Sequence, residues 1–235
     1  ITSIGFDHMD VLGDTIEEIA REKAGIAKPD VPLVLAADDP KALAVIEAHA
    51  REVGAPVVRV AQAATVENYE AARAGQRFNV TTARGRYDIA LPVLGEFQRA
   101  NAATAIVALE ALDANLRPSI EAIQTGFAHL AIPGRMELFS GHPSVVFDIA
   151  HNAEKAEHLT MSLRERFPGR RFRFVIAIGQ SKDAEQILRA FASAGASFIF
   201  TTFAAAGRQA MRPARLAAIA ESIGAWGRAI DDPVE

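Results

Sequence analysis

Short apolar runs alternate with segments of helical period along this chain, and that alternation restricts its fold more than any other feature. Residues 1–6, 31–36 and 56–60 read as strands, and residues 14–26 and 40–53 read as helices. A strand-helix-strand rhythm of this kind argues for parallel βα units. The pattern changes between residues 76 and 93. Phe78, Val80 and Thr82 alternate with polar positions, Arg84-Gly85-Arg86 makes a turn, and Tyr87, Ile89 and Leu91 resume the alternation. This predicts a β-hairpin at a sheet edge. Helical patterns follow at 98–112 and, opened by Pro118, at 118–130.

Ala131-Ile132-Pro133-Gly134-Arg135 breaks the helical pattern, after which apolar runs at 145–149, 172–178 and 197–203 alternate with helical segments at 153–167, 183–194 and 213–223. The expected division is therefore a first domain over 1–134 and a second over 135–235, the latter a small doubly wound α/β domain. Ligands of open parallel sheets sit beyond the carboxyl ends of the strands. Asp148, Ile149, Ala150, His151 and Asn152 occupy such an end.

Composition narrows the functional classes. Half of the residues are hydrophobic and 23% are charged, the balance of an ordinary globular protein. A formal net charge of -4 provides no general attraction for nucleic acid or an anionic membrane. With no cysteine there is no disulfide, thiolate nucleophile or zinc–thiolate site, which agrees with a reducing compartment and an expected cytoplasmic location. No apolar run approaches the roughly 20 residues that span a bilayer, and the first residues lack a signal-peptide layout. Ile1-Thr2-Ser3-Ile4-Gly5-Phe6 has no initiating Met and reads as a strand entered in mid-fold, so the natural protein is expected to begin earlier.

Four clusters could carry chemistry. In Phe6-Asp7-His8-Met9-Asp10 an imidazole stands beside carboxylates, which can ligate a metal, act as a base or cap the next helix. The following helix sets Ile16, Ile19 and Ala20 on an apolar stripe, with Lys23 as a solvated cation near its end. Gln98-Arg99-Ala100-Asn101 opens a helix, where an amide is a cap or an exposed residue as readily as a ligand contact. Arg135 on the interdomain turn reads by itself as a surface arginine.

The run from Ile4-Gly5-Phe6-Asp7-His8 through Glu22-Lys23-Ala24-Gly25 to Pro29 resembles the central-domain signature of the folylpolyglutamate and dihydrofolate synthases, members of the Mur ligase superfamily. Leu91-Pro92-Val93-Leu94-Gly95 followed by Asn101-Ala102-Ala103-Thr104-Ala105, and Pro133-Gly134-Arg135, are similar to further segments of that family. Asp148-Ile149-Ala150-His151-Asn152 resembles its Asp-Gly-Ala-His-Asn motif, with Ile149 at the usual Gly and Ala153 at a common Pro. Gln180-Ser181-Lys182-Asp183 stands in a shortened form of a family loop that gives Lys182 no firm role.

The resemblance implies a partial Mur-ligase central ATPase domain followed by a Rossmann-like glutamate-ligase domain. It implies an ATP- and Mg²⁺-dependent monomeric ligase that joins L-glutamate to dihydropteroate or a reduced folate through an acyl phosphate. By the same resemblance His8 is a Mg²⁺ ligand, Lys23 is carbamylated beside the metal-phosphate site, and Asn101 contacts ATP. Arg135 reaches the phosphates, Asp148 binds nucleotide, and Asp148 and His151 help to form the glutamate site, with His151 orienting the substrate or accepting a proton from its amine. Closure about the turn at Gly134 is expected to bring Arg135, Asp148 and His151 to their ligands. The family's Gly-rich phosphate loop is expected upstream of Ile1, and its last helix and strand beyond Glu235. The alternative is a non-catalytic fragment or paralogue that lacks the phosphate loop.

Overall fold

A computed structural model describes residues 1–6, 12–72, 75–205 and 207–231. The chain divides into two compact units, Ile1–Phe147 and Asp148–Glu235. Both are mixed α/β.

In the first unit, α1 (Ile16–Ala24) and α2 (Pro40–Val53) pack beside a parallel pair of strands, β1 (Leu33–Leu35) and β2 (Val57–Arg59). Thr15 and Glu18 form a reciprocal capping box that starts α1. Asp39 caps α2 through the amides of Lys41 and Ala42, with Pro40 in its first turn, and Gly54 ends it in the left-handed region. Ala42, Ile46 and Ala50, one helical turn apart, bury one face of α2 against Ala20, Ala24, Leu33 and Leu35. Glu47 of α2 accepts from Arg59 of β2, and that bond holds the Glu47 carboxyl below its usual range. Residues 1–6 form no strand, although the Ile1 amine donates to the Val34 carbonyl and the Ala36 amide donates to the Ile1 carbonyl.

After the short helix α3 (Val60–Ala63), an antiparallel sheet is built from β3 (Ala64–Ala72), β4 (Gly75–Thr82) and β5 (Gly85–Leu91), in the order β3-β4-β5. The expected hairpin is present as β4 and β5, but β4 is central because β3 pairs along its other side. β3 escapes an apolar-periodicity reading because its residues are nearly all exposed. Its register shifts between Glu67 and Glu70, where Asn68 adopts φ 55°. Phe78, Val80, Tyr87, Ile89 and Leu91 turn one face of the sheet toward α4 (Phe97–Glu110), which supplies Ala102, Ala103, Ile106 and Val107, and α5 (Ile120–Ala128), which supplies Ile123. The unit ends in an antiparallel pair, β6 (Glu137–Phe139) and β7 (Val145–Phe147), with Glu137 opposite Phe147.

The second unit carries a parallel sheet, ordered β12-β9-β8, of β8 (Arg173–Ile176), β9 (Ser197–Phe200) and β12 (Gly227–Ala229). Helices α6 (Ala153–Arg166), α7 (Ala184–Ala192) and α8 (Pro213–Ser222) accompany it, with a small β10 (Ala204–Ala205) and β11 (Arg208–Gln209) hairpin between β9 and α8. Phe174, Phe198 and Phe200 share one face; the Phe174 ring stacks on Phe191 of α7 at 4.5 Å, and the rings of Phe198 and Phe200 stack at 5.5 Å. Gly227 lies across from Phe198, and a Cβ there would overlap the Phe200 ring and lie 2.9 Å from Phe198 Cβ. The opposite face carries Arg173, Val175, Ile199 and Arg228, and Val175 is 69% exposed.

Candidate functional site

Asp148, His151 and Asn152 come together at the head of α6. Asn152 is buried and is the N-cap, its side-chain oxygen accepting from the Lys155 amide at 2.9 Å. Such a cap satisfies one of the amides that a helix start leaves without an intrahelical partner. Asp148 accepts from the Ala150 amide at 2.7 Å, folding the segment into a tight turn. His151 is exposed, with Nδ1 3.0 Å from the Ile149 carbonyl and Nε2 3.2 Å from Lys155 Nζ. A carboxylate, an imidazole and an ammonium thus occupy a single turn, an arrangement able to receive a small zwitterion. Ile149, at the position where the family has Gly, is 45% exposed and enters no described core. Ala153 takes the first position of α6, so helix initiation there rests on Asn152 and needs no proline.

The strand that the sequence assigned to 145–149 ends at Phe147, and its recorded partner is β6. The turn Asp148–Asn152 therefore begins directly after the last residue of β7. Lys182, from the altered loop, is half-buried, and the adjacent Asp183 caps α7 by accepting from the Gln186 amide at 3.0 Å.

In the first unit the candidates lie on separate elements. Lys23 is exposed in the last turn of α1, where a cation suits the helix dipole. Asn101 is exposed on α4, and its amide donates to Gln98 Oε1 at 3.1 Å. Arg135 is half-buried on the turn before β6, between Gly134 at φ 70° and Met136 at φ 44°. No hydrogen bond or ion pair among the described residues joins Lys23, Asn101 and Arg135. His8 lies outside the described residues, as do Asp7 and Asp10.

Several supporting residues had no signal in the sequence. Gln76 is buried at the start of β4 and donates to the Val93 and Gly95 carbonyls at 3.1 and 3.0 Å, tying the sheet to the loop that precedes α4. Arg99 donates to Gln76 Oε1 at 3.4 Å and stacks over the Tyr69 ring at 4.0 Å. Only the i, i+3 spacing of Gln98 and Asn101 could have been read beforehand. Gln76 acts across the sheet, at a distance in sequence that periodicity does not report.

Among the described residues no group of three or more His, Asp or Glu side chains could hold a metal ion. No described helix is long and apolar enough to cross a membrane.

Residues 1–109 match the Mur ligase middle domain, and residues 134–234 match the Mur ligase glutamate ligase domain. The chain belongs to the Mur ligases, and the two matches together take in parts of their middle domain and glutamate ligase domain. Within that class it is similar to the dihydrofolate synthase/folylpolyglutamate synthase of Bacillus subtilis (strain 168), being 39% identical over 86% of this chain and 48% of that protein. Among solved structures, Mycobacterium tuberculosis folylpolyglutamate synthase complexed with ADP superposes with a TM-score of 0.86 at 32% identity, covering 98% of this chain and 52% of that one. Escherichia coli FolC in complex with DHPP and ADP gives a TM-score of 0.79 at 31% identity, again over 98% of this chain and 52% of that one. The chain spans about half the length of the curated relatives it matches.

Proposed function

We propose that this chain contributes the carboxy-proximal part of a middle domain, over 1–134, and the glutamate ligase domain, over 135–235, of an ATP-dependent amide ligase. The enzyme joins L-glutamate to the carboxylate of dihydropteroate or a reduced folate. The observation that carries this reading is the structural likeness over 98% of the chain to a folylpolyglutamate synthase complexed with ADP. In the reaction a substrate carboxylate oxygen takes the γ-phosphoryl group of ATP and ADP leaves. The glutamate amine then attacks the acyl carbon, an amide forms, phosphate departs and the amine loses a proton.

The residues in hand suit positioning and charge neutralisation more than covalent catalysis. Arg135 offers a fixed fork of donors to phosphate oxygens. Asn101 is assigned to ATP and Asp148 to nucleotide. Asp148 and His151 are assigned to the glutamate, whose ammonium and carboxylates would meet the acid, imidazole and ammonium of one turn. Lys23 as an ammonium repels a cation, whereas its carbamate presents hard oxygens suited to Mg²⁺. With His8 it would form this chain's share of a metal site that supplies charge neutralisation at the phosphates. A monomer in the cytoplasm is the state this reading carries.

The test is glutamate-dependent ADP release by the full product of the gene encoding this chain, with dihydropteroate and tetrahydrofolate compared side by side. No glutamate-dependent release with either substrate sinks the proposal. Replacing Lys23 with Ala is expected to slow release by about a hundredfold, with partial recovery in a small carboxylic acid. Full activity in that variant removes Lys23 from the site. His151→Ala is expected to raise KM for glutamate far more than KM for ATP, and equal changes in both would contradict its assignment.

A further inference from the structure

The contacts of His151 say more about its ring than the family resemblance does. Its Nδ1 is 3.0 Å from the Ile149 carbonyl oxygen and its Nε2 is 3.2 Å from the Lys155 ammonium. A carbonyl oxygen can only accept a hydrogen bond and an ammonium can only donate one. A ring that meets both must carry its proton on Nδ1 and keep a lone pair on Nε2. Lys155 stands in the first turn of α6, where its amide is held by the Asn152 cap at 2.9 Å, and its side chain reaches back to His151, the residue before the cap. We infer that Lys155 is a positioning residue that fixes the His151 ring in the Nδ1–H form with Nε2 as an acceptor.

The consequence for catalysis rests on the ligase reading above. A glutamate carboxylate arriving at this turn competes with Nε2 for the Lys155 ammonium. As the ammonium turns to the carboxylate, the Nε2 lone pair becomes available to an N–H of the ligand. Where that carboxylate is the side-chain one, the acidic amino acid would thereby expose its own acceptor, which an amino acid with an uncharged side chain cannot do in the same way.

The tautomer can be read without substrate, so its failure is separable from failure of the ligase reading. The experiment is ¹⁵N NMR of the imidazoles in the 235-residue chain, recorded with the rings uncharged and with His151→Asn used to assign the signal. The expected wild-type pattern has a protonated Nδ1 and a lone pair on Nε2. Lys155→Met leaves the Ile149 carbonyl bond in place but removes the donor at Nε2, and it is expected to raise the share of the Nε2–H form that free imidazole side chains favour. Lys155→Arg keeps a donor at Nε2 and is expected to retain the wild-type pattern. An Nε2–H ring in the wild type, or an unaltered pattern in Lys155→Met, overturns the inference. Equal loss in the Arg and Met variants does so as well, because it would show that donation to Nε2 is not the cause.

Discussion

Tyr87 is fully buried, and its hydroxyl donates to Glu110 at 2.6 Å while Thr82 donates to the same oxygen at 2.7 Å. Burial, and then the neighbouring carboxylate, push the phenol up to about 12. An unfolded tyrosine titrates near pH 10. The folded state therefore keeps a proton that the unfolded state releases, so this contribution is intact below pH 10 and is lost as pH rises toward about 12. Thermal melts of the wild type are expected to lose stability across that window, and Tyr87→Phe is expected to flatten the dependence; parallel curves for the two proteins would refute it. Neither Glu110 nor Thr82 is visible as a partner in the sequence. Tyr87 reads there simply as one apolar position of a hairpin. The stacking of Arg99 on Tyr69 is equally invisible there, whereas the pairing of Asn101 with Gln98 is local and legible in principle.

At the scale of elements, capping and periodicity were readable wherever a segment presents an apolar face. α2 spans residues 40–53 as expected, because Asp39, Pro40 and Gly54 mark both ends. β3 was illegible for the opposite reason, since an exposed edge strand needs no apolar alternation. β12 was also missed, because Gly227-Arg228-Ala229 has no β-propensity to announce it. Its glycine is required by the Phe198 and Phe200 rings. Gly227→Ala is expected to destabilise the second unit by about 1–3 kcal/mol through overpacking, and adding Phe200→Leu should recover part of that loss. Chemical denaturation of the single and double variants checks both, and strict additivity would count against the steric explanation. Asn152→Ala, which removes the α6 cap, is expected to cost about 1 kcal/mol and to disorder the turn bearing Asp148 and His151. The cap was legible only as part of a motif, since nothing local distinguishes a capping asparagine from a ligand-binding one.

For the whole molecule, the alternation in the sequence was sufficient to give a mixed α/β chain and its renewal after Gly134. It did not give the pairing of β7 with β6, because strand partners are chosen by tertiary contacts that a single run of residues does not encode. Parallel sheets are ordinarily covered on both faces, yet Val175 is 69% exposed, as is Trp226 just before β12. The chain is accordingly expected to bind a hydrophobic dye such as ANS in its folded state. Val175→Thr should weaken that binding while changing stability by no more than about 0.5 kcal/mol, as for surface substitutions generally. Dye binding that is identical in the variant would locate the apolar surface elsewhere.

The first unit's sheet faces a different hazard and handles it differently. Its outer strand β3 is long and exposed, the kind of edge on which a stray strand could template. The register shift at Glu67 and Glu70 and the left-handed Asn68 interrupt the row of outward amides and carbonyls, and the two glutamates add charge of one sign. Backbone shape and like charge thereby disfavour the addition of a strand along the β3 side of this sheet.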